Sequence, residues 1–195
     1  IRDLVRSRGL GDVYKRQTSA GRKVDNKTVE RYLRGLEDSL LLYNTERFDV
    51  RGKELLRLRP KYYVVDMAFK QLLLPDSNRD RGHVLENVVY LELRRRGYTV
   101  YVGQLTKGEI DFVAQKPGGI LEYYQVSESV LDPTTRDREL APLEAVKDQY
   151  PKFLLTMDEL YKSHNYNGIQ QCNVLDWLLG CLLYTSPSPR DRTRS

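Results

Sequence analysis

Residues 107–127 read KGEIDFVAQKPGGILEYYQVS. Two runs rich in β-branched and aromatic residues flank a Pro-Gly-Gly turn, which predicts two paired strands. Strands of this composition belong inside a sheet, yet the first carries Glu109 and Asp111 two residues apart. Side chains alternate along a strand, so both carboxylates are expected on one face, with Ile110 and Phe112 on the other. Two like charges so close raise the cost of ionising both. A cation or a polar partner resolves such a conflict.

The surrounding pattern alternates between helix and strand. Asp25 or Asn26 can cap a helix in which Val29, Tyr32, Leu33, Leu36 and Leu40 fall on one stripe. LLYNTERFDV, the Arg51-Gly52-Lys53 turn and ELLRLRP read as a β-hairpin. A helix followed by a hairpin is how a winged helix-turn-helix ends, so residues 18–60 are expected to be a truncated one. KYYVVD then reads as a short strand, MAFKQLLL as one or two helical turns, and HVLENVVYLELRRRGY as a long helix stopped by Gly97. TVYVG is a strand ahead of the opening pair. A helix starting at Pro133 behind an Asp cap follows, bent or broken at Pro142. KFLLT is a further strand and NVLDWLL a short final helix. The expected fold is α/β, a mixed sheet flanked by helices over residues 61–180.

A chain of 195 residues has room for one domain, or one domain and a small appendage. No apolar run approaches the roughly 18 residues that span a bilayer, so no membrane partner is expected. Cys172 and Cys181 make neither a disulfide framework nor a zinc site, and a cytoplasmic setting follows as the expectation. A net charge of +5 would suggest a nucleic-acid partner, but the excess sits at the two ends. IRDLVRSRGLGDVYKRQ and CLLYTSPSPRDRTRS show no apolar period, and both resemble translated sequencing-library adapters. Residues 1–17 and 181–195 are therefore expected to be artefacts. Removing their +3 and +2 leaves Thr18–Gly180 formally neutral.

Glu86 precedes Val89 and Leu93 by three and seven residues, which puts it on the flank of the long helix's apolar stripe, toward the sheet. Asp111 supplies a second acid on a strand and Gln125 a third polar group near the end of the next. The bland alternative pairs Glu86 with an arginine or a backbone group. His83 and His164 read as surface or helix-end residues, and Arg94-Arg95-Arg96 suits a helix C-terminus. Arg47, Arg51 and Lys53 on the hairpin are candidate contacts to a nucleic-acid backbone; a solvated hairpin explains them equally well.

Helix acid, strand acid, then strand Glu or Gln followed two residues on by Lys is an order similar to that of PD-(D/E)XK nucleases. The resemblance implies a restriction-endonuclease-like core with Glu86, Asp111 and Gln125 as the catalytic set. It implies Glu86 and Asp111, with Glu109 as a further candidate, as ligands of Mg²⁺, a hard cation that acidifies water and stabilises charge on a phosphate. Ser127 stands where that pattern has lysine, and Gln125 is neutral, so the site is degenerate. Lys107, Lys116, Arg136 and Arg138 are candidates to replace the cation. The expectation is a non-cleaving module that binds DNA or RNA or regulates a partner; the alternative is an active Mg²⁺-dependent nuclease. Read as a whole, residues 18–180 resemble the C-terminal half of a group of prokaryotic AAA-type ATPases, where a P-loop ATPase precedes a winged-helix segment and a nuclease-like domain. The chain holds no G-x-x-x-x-G-K-[ST] loop. On that resemblance ATP belongs to an ATPase half upstream, which is also the expected partner, and a purely structural assembly role is a third possibility.

Overall fold

The structure is a computed structural model that describes residues 25–69, 81–160 and 163–180. Both adapter-like ends lie outside the described residues, as does most of MAFKQLLL with its following loop. Four helices and eight strands are described: α1 (Asn26–Asp38), β1 (Leu42–Asp49), β2 (Glu54–Val64), α2 (Arg81–Arg95), β3 (Thr99–Gln104), β4 (Glu109–Gln115), β5 (Leu121–Ser127), α3 (Pro133–Ala145), β6 (Lys152–Thr156), β7 (Ser163–Tyr166), β8 (Ile169–Asn173) and α4 (Val174–Leu178). All eight strands join one mixed sheet in the order β2-β1-β3-β4-β5-β6-β8-β7. β1/β3, β5/β6 and β6/β8 pair in parallel and the other neighbours are antiparallel. The fold is thus α/β, as the alternating pattern implies.

Local chemistry sets the boundaries. Gly97 takes φ 83°, and the amides of Gly97 and Tyr98 return to the carbonyls of Arg94 and Leu93, closing α2. Asp132 caps α3 by accepting from Thr135 N at 2.8 Å, with Pro133 as the first helical residue. The helix carries Pro142 within it and ends three residues later. Asp25 precedes α1 without a side-chain cap bond.

Two apolar layers sandwich the sheet. Val89, Tyr90 and Leu93 of α2 and Trp177 of α4 pack on Tyr63, Phe112 and Tyr124. Leu140 and Leu143 of α3 pack on Ile110, Val113, Tyr123 and Leu154 on the other side. Caught between them, β5 is buried along its whole length. Each fully buried side chain of this size contributes about 1.5–3 kcal/mol. An exposed ion pair such as Arg81–Glu128, at 3.3 Å, contributes about 0–1 kcal/mol, so the two layers dominate.

Two expectations change, and one element is new. The hairpin read as a wing pairs through β1 with β3, so it forms one edge of the common sheet. KYYVV is no separate strand: β2 runs from Glu54 to Val64, across residue 60 where the winged segment was expected to end. Residues 57–60 bulge out of the β1 ladder, which accommodates Pro60, a residue with no N–H to donate. Finally, the hairpin β7–β8 was not anticipated.

Candidate functional site

β4 does not keep its alternation. Val113 faces Tyr101 and Ile110 faces Gly103, leaving Asp111 and Phe112 together opposite Val102. One extra residue in a strand is a β-bulge, and it shifts the facing of everything beyond it. Ile110 consequently joins the layer under α3, while Phe112 joins the layer under α2. The expectation that Ile110 and Phe112 share a face is overturned by this bulge. The same irregularity ends the β4–β5 ladder at Phe112–Tyr124. Beyond it, side chains take over: Asp111 Oδ2 accepts from Val126 N at 2.9 Å, and Gln125 Oε1 accepts from Asp111 N at 3.3 Å.

The splayed strand ends open into a cleft of about 590 Å³ between the first turns of α2 and α3. Glu86, Asp111, Gln125 and Ser127, far apart in sequence, all line it, together with His83, Arg138 and Glu139. Glu86 is held from behind: its Oε1 accepts from Tyr63 OH at 2.7 Å and is ion-paired with Lys61 Nζ. Both ends of that ion pair are sequestered, with side-chain exposures of 12% for Lys61 and 8% for Glu86. His83 Nδ1 lies 3.4 Å from Oε2. Gln125 Nε2 donates to Glu139 Oε2 at 3.0 Å, and Glu139 Oε1 accepts from Arg138 at 2.8 Å.

These surroundings drive the two acids apart. Burial pushes Glu86 up, but His83, Lys61 and Tyr63 outweigh it and hold the carboxyl below its ordinary range. Burial raises Asp111, and the charge of Glu86 raises it further. The expected conflict between close carboxylates therefore exists, but between Asp111 and Glu86. Glu109 instead accepts from Arg47 at 2.5 Å, outside the cleft lining.

At the position where the nuclease pattern has lysine, Ser127 Oγ donates to Ser129 O at 3.1 Å. Of the candidate replacements, Lys116 is paired with Glu122 at 2.6 Å and Arg136 lies 5.9 Å from the Tyr166 ring; only Arg138 lines this cleft among the described residues. Lys61, Tyr63 and Glu139 were missed by sequence reasoning. Lys61 and Tyr63 are two apart on β2 and so share a face, a signal present in KYYVV once a strand was assumed.

As folded, part of the donor set expected for Mg²⁺ is already engaged. Lys61 and Tyr63 occupy Glu86 Oε1, while burial and the charge of Glu86 raise the Asp111 carboxyl. Among the described residues no group of three or more His, Cys, Asp or Glu side chains is arranged to hold a metal ion. Of the expected backbone contacts, Arg47 is committed to Glu109 and to Gln104 Oε1 at 3.1 Å, and Lys53 to Asp148 and Tyr123; Arg51 is exposed. No helix among the described residues is long and apolar enough to cross a membrane.

The chain is 38% identical over 162 residues to an uncharacterized protein of Haemophilus influenzae, covering 83% of this chain and 39% of that protein. It is 30% identical over 131 residues to the uncharacterized protein MJ1544 of Methanocaldococcus jannaschii, covering 65% of this chain and 28% of that one. The chain thus spans well under half the length of these relatives. No family model and no solved structure matches it.

Proposed function

We propose that this domain is a nuclease-like module that binds nucleic acid or regulates a partner without cleaving, within a longer AAA-type ATP-binding protein. One observation carries the reading: Lys61 neutralises Glu86 from inside the fold with Tyr63 donating to the same oxygen, while Ser127 turns its hydroxyl to the backbone of Ser129. A transferring phosphate needs cations aimed at its developing charge. Here the cation beside the helix acid is consumed by it, and Lys61 is not among the described residues lining the cleft. The greater length of both relatives leaves room for an ATPase half, which would be the natural partner and the seat of ATP.

The reading is tested by titrating labelled single-stranded and duplex oligonucleotides with the purified protein in EDTA, following fluorescence anisotropy. Metal-independent binding of intact oligonucleotide is expected. If neither binds, the nucleic-acid role is rejected, and sizing a mixture with the ATPase half decides the regulatory one.

A second reading, a Mg²⁺-dependent nuclease, draws on a separate observation. Glu86, Asp111, Glu128 and Glu139 line the cleft against Arg138 and His83, a local excess of acids. A cation at Glu86 Oε1 would compete with Lys61 and Tyr63. Calorimetry with millimolar Mg²⁺ would support this reading if binding were seen and were lost in Asp111→Ala; no heat of binding would reject it.

A further inference from the structure

A second cleft, of about 630 Å³, forms where three loops meet on the α3 side of the sheet. Its charge is opposite to that of the first. The β1–β2 turn contributes Arg51 and Lys53, the β3–β4 turn Lys107, and the segment after α3 Lys147, while the acid among its lining residues is Asp148. Val50, Leu105 and Val146 form an apolar floor that is part of the core beneath.

The cations divide into two kinds. Lys53 is consumed internally: its Nζ is paired with Asp148, which also accepts from Tyr123 OH at 2.6 Å. That junction ties the β1–β2 turn to the segment after α3. The other three are exposed and have no acidic partner among the described residues. Arg51 reaches Thr106 Oγ1 at 3.4 Å, and Lys147 Nζ lies 3.1 Å from Glu144 O, covering a carbonyl at the end of α3. The turns that carry Arg51 and Lys107 are braced by backbone bonds, Lys53 N to Asp49 O at 2.8 Å and Leu105 N to Gly108 O at 3.2 Å. Arg51 and Lys107 thus stand on turns whose backbones are fixed before any ligand arrives, and Lys147 on the segment that the Lys53–Asp148 pair ties down.

We propose that this three-loop cleft holds the sugar–phosphate backbone of a nucleic acid, with Arg51, Lys107 and Lys147 contacting phosphates and Lys53 positioning the loops. The inference rests on the nucleic-acid reading above and locates it. Phosphates are drawn to the exposed cations of this cleft, whereas Arg138, the arginine lining the cleft near Glu86, is already paired with Glu139. Arg47, tied to Glu109, takes no part. Backbone contacts of this type carry no base specificity.

The test measures binding of a 5′-labelled single-stranded oligonucleotide by fluorescence anisotropy between about 50 and 200 mM salt. Each phosphate contact on a single strand contributes about 0.7 to the slope of log K against log salt. Combining Arg51→Ala, Lys107→Ala and Lys147→Ala should lower the slope by about 2 and weaken binding on the order of tenfold or more at low salt. Arg57→Ala with Arg59→Ala, on the exposed edge of β2, should change neither. Lys107→Glu alone should weaken binding too, and guards against a fold defect in the triple variant. If the wild type binds and the triple variant binds equally well, the cleft assignment is overturned while the nucleic-acid reading stands. The same holds if Arg138→Ala abolishes binding instead. A wild type that binds no oligonucleotide overturns both.

Discussion

Lys61 on β2 and Glu86 on α2 form an ion pair in the interior, with Tyr63 donating to the same carboxylate oxygen. The pair links the sheet's edge hairpin to the helix that frames the candidate site. Its two ends are 25 residues apart, and only the docking of β2 beside α2 brings them together. Removing one partner of a buried pair leaves the other charge uncompensated and costs about 3–5 kcal/mol. Lys61→Met should therefore lower the urea midpoint by a corresponding amount. Lys61→Met combined with Glu86→Gln should recover most of that loss, because no buried charge remains. Equal destabilisation in single and double variants would show that the pair matters only through packing.

The depressed Glu86 carboxyl also predicts an acid limb. Its contribution is present above the ordinary carboxylate range of the unfolded chain and is lost as pH falls through the lower folded value. Wild-type stability should drop below about pH 4, and the Lys61→Met/Glu86→Gln variant should show a shallower drop over the same interval. Chemical unfolding at a series of acidic pH values measures both; parallel curves would contradict the assignment.

Asp111 predicts the opposite trend. Its raised folded value means that its contribution is full below the unfolded carboxylate pKa and is lost as pH rises through the folded one. Asp111→Asn keeps an acceptor for Val126 N and removes the titration. Thermal midpoints should favour the variant over wild type increasingly as pH climbs from about 4 toward 9. A gap that closes with rising pH would mean that Asp111 ionises easily.

Gly103 predicts a packing effect at the bulge. A Cβ there would lie 2.9 Å from Val113 Cγ2 and 3.0 Å from Ile110 Cβ, atoms fixed by β4 itself. Overpacking of this kind costs about 1–3 kcal/mol, so Gly103→Ala should shift the unfolding midpoint down accordingly. No shift would mean that the bulge yields readily.

Much of this was legible. The Pro-Gly-Gly turn, Gly97 and the Asp132-Pro133 start placed β4, β5, α2 and α3, and through them Glu86, Asp111 and Gln125 came to one cleft. What sequence did not show depends on pairing between distant strands. The bulge at Asp111–Phe112 exists only relative to β3, so alternation along β4 alone gave the wrong face for Phe112. Lys61 looked like the start of a short strand, because nothing local shows that β2 continues through Pro60. The β7–β8 hairpin did have a signal: Asn167-Gly168 takes φ 50° and 93°, the positive angles of a tight hairpin turn. Its flanking residues are mostly polar, which hid the strands from any search for apolar alternation.

The most direct test is a cleavage assay on labelled single-stranded and duplex DNA and RNA with millimolar Mg²⁺ or Mn²⁺, wild type beside Asp111→Ala, resolved on denaturing gels. With Glu86 neutralised by Lys61 and no lysine at Ser127, intact substrate is predicted in every lane, including those where the protein is bound. Products that form with wild type and vanish with Asp111→Ala would contradict a non-cleaving domain.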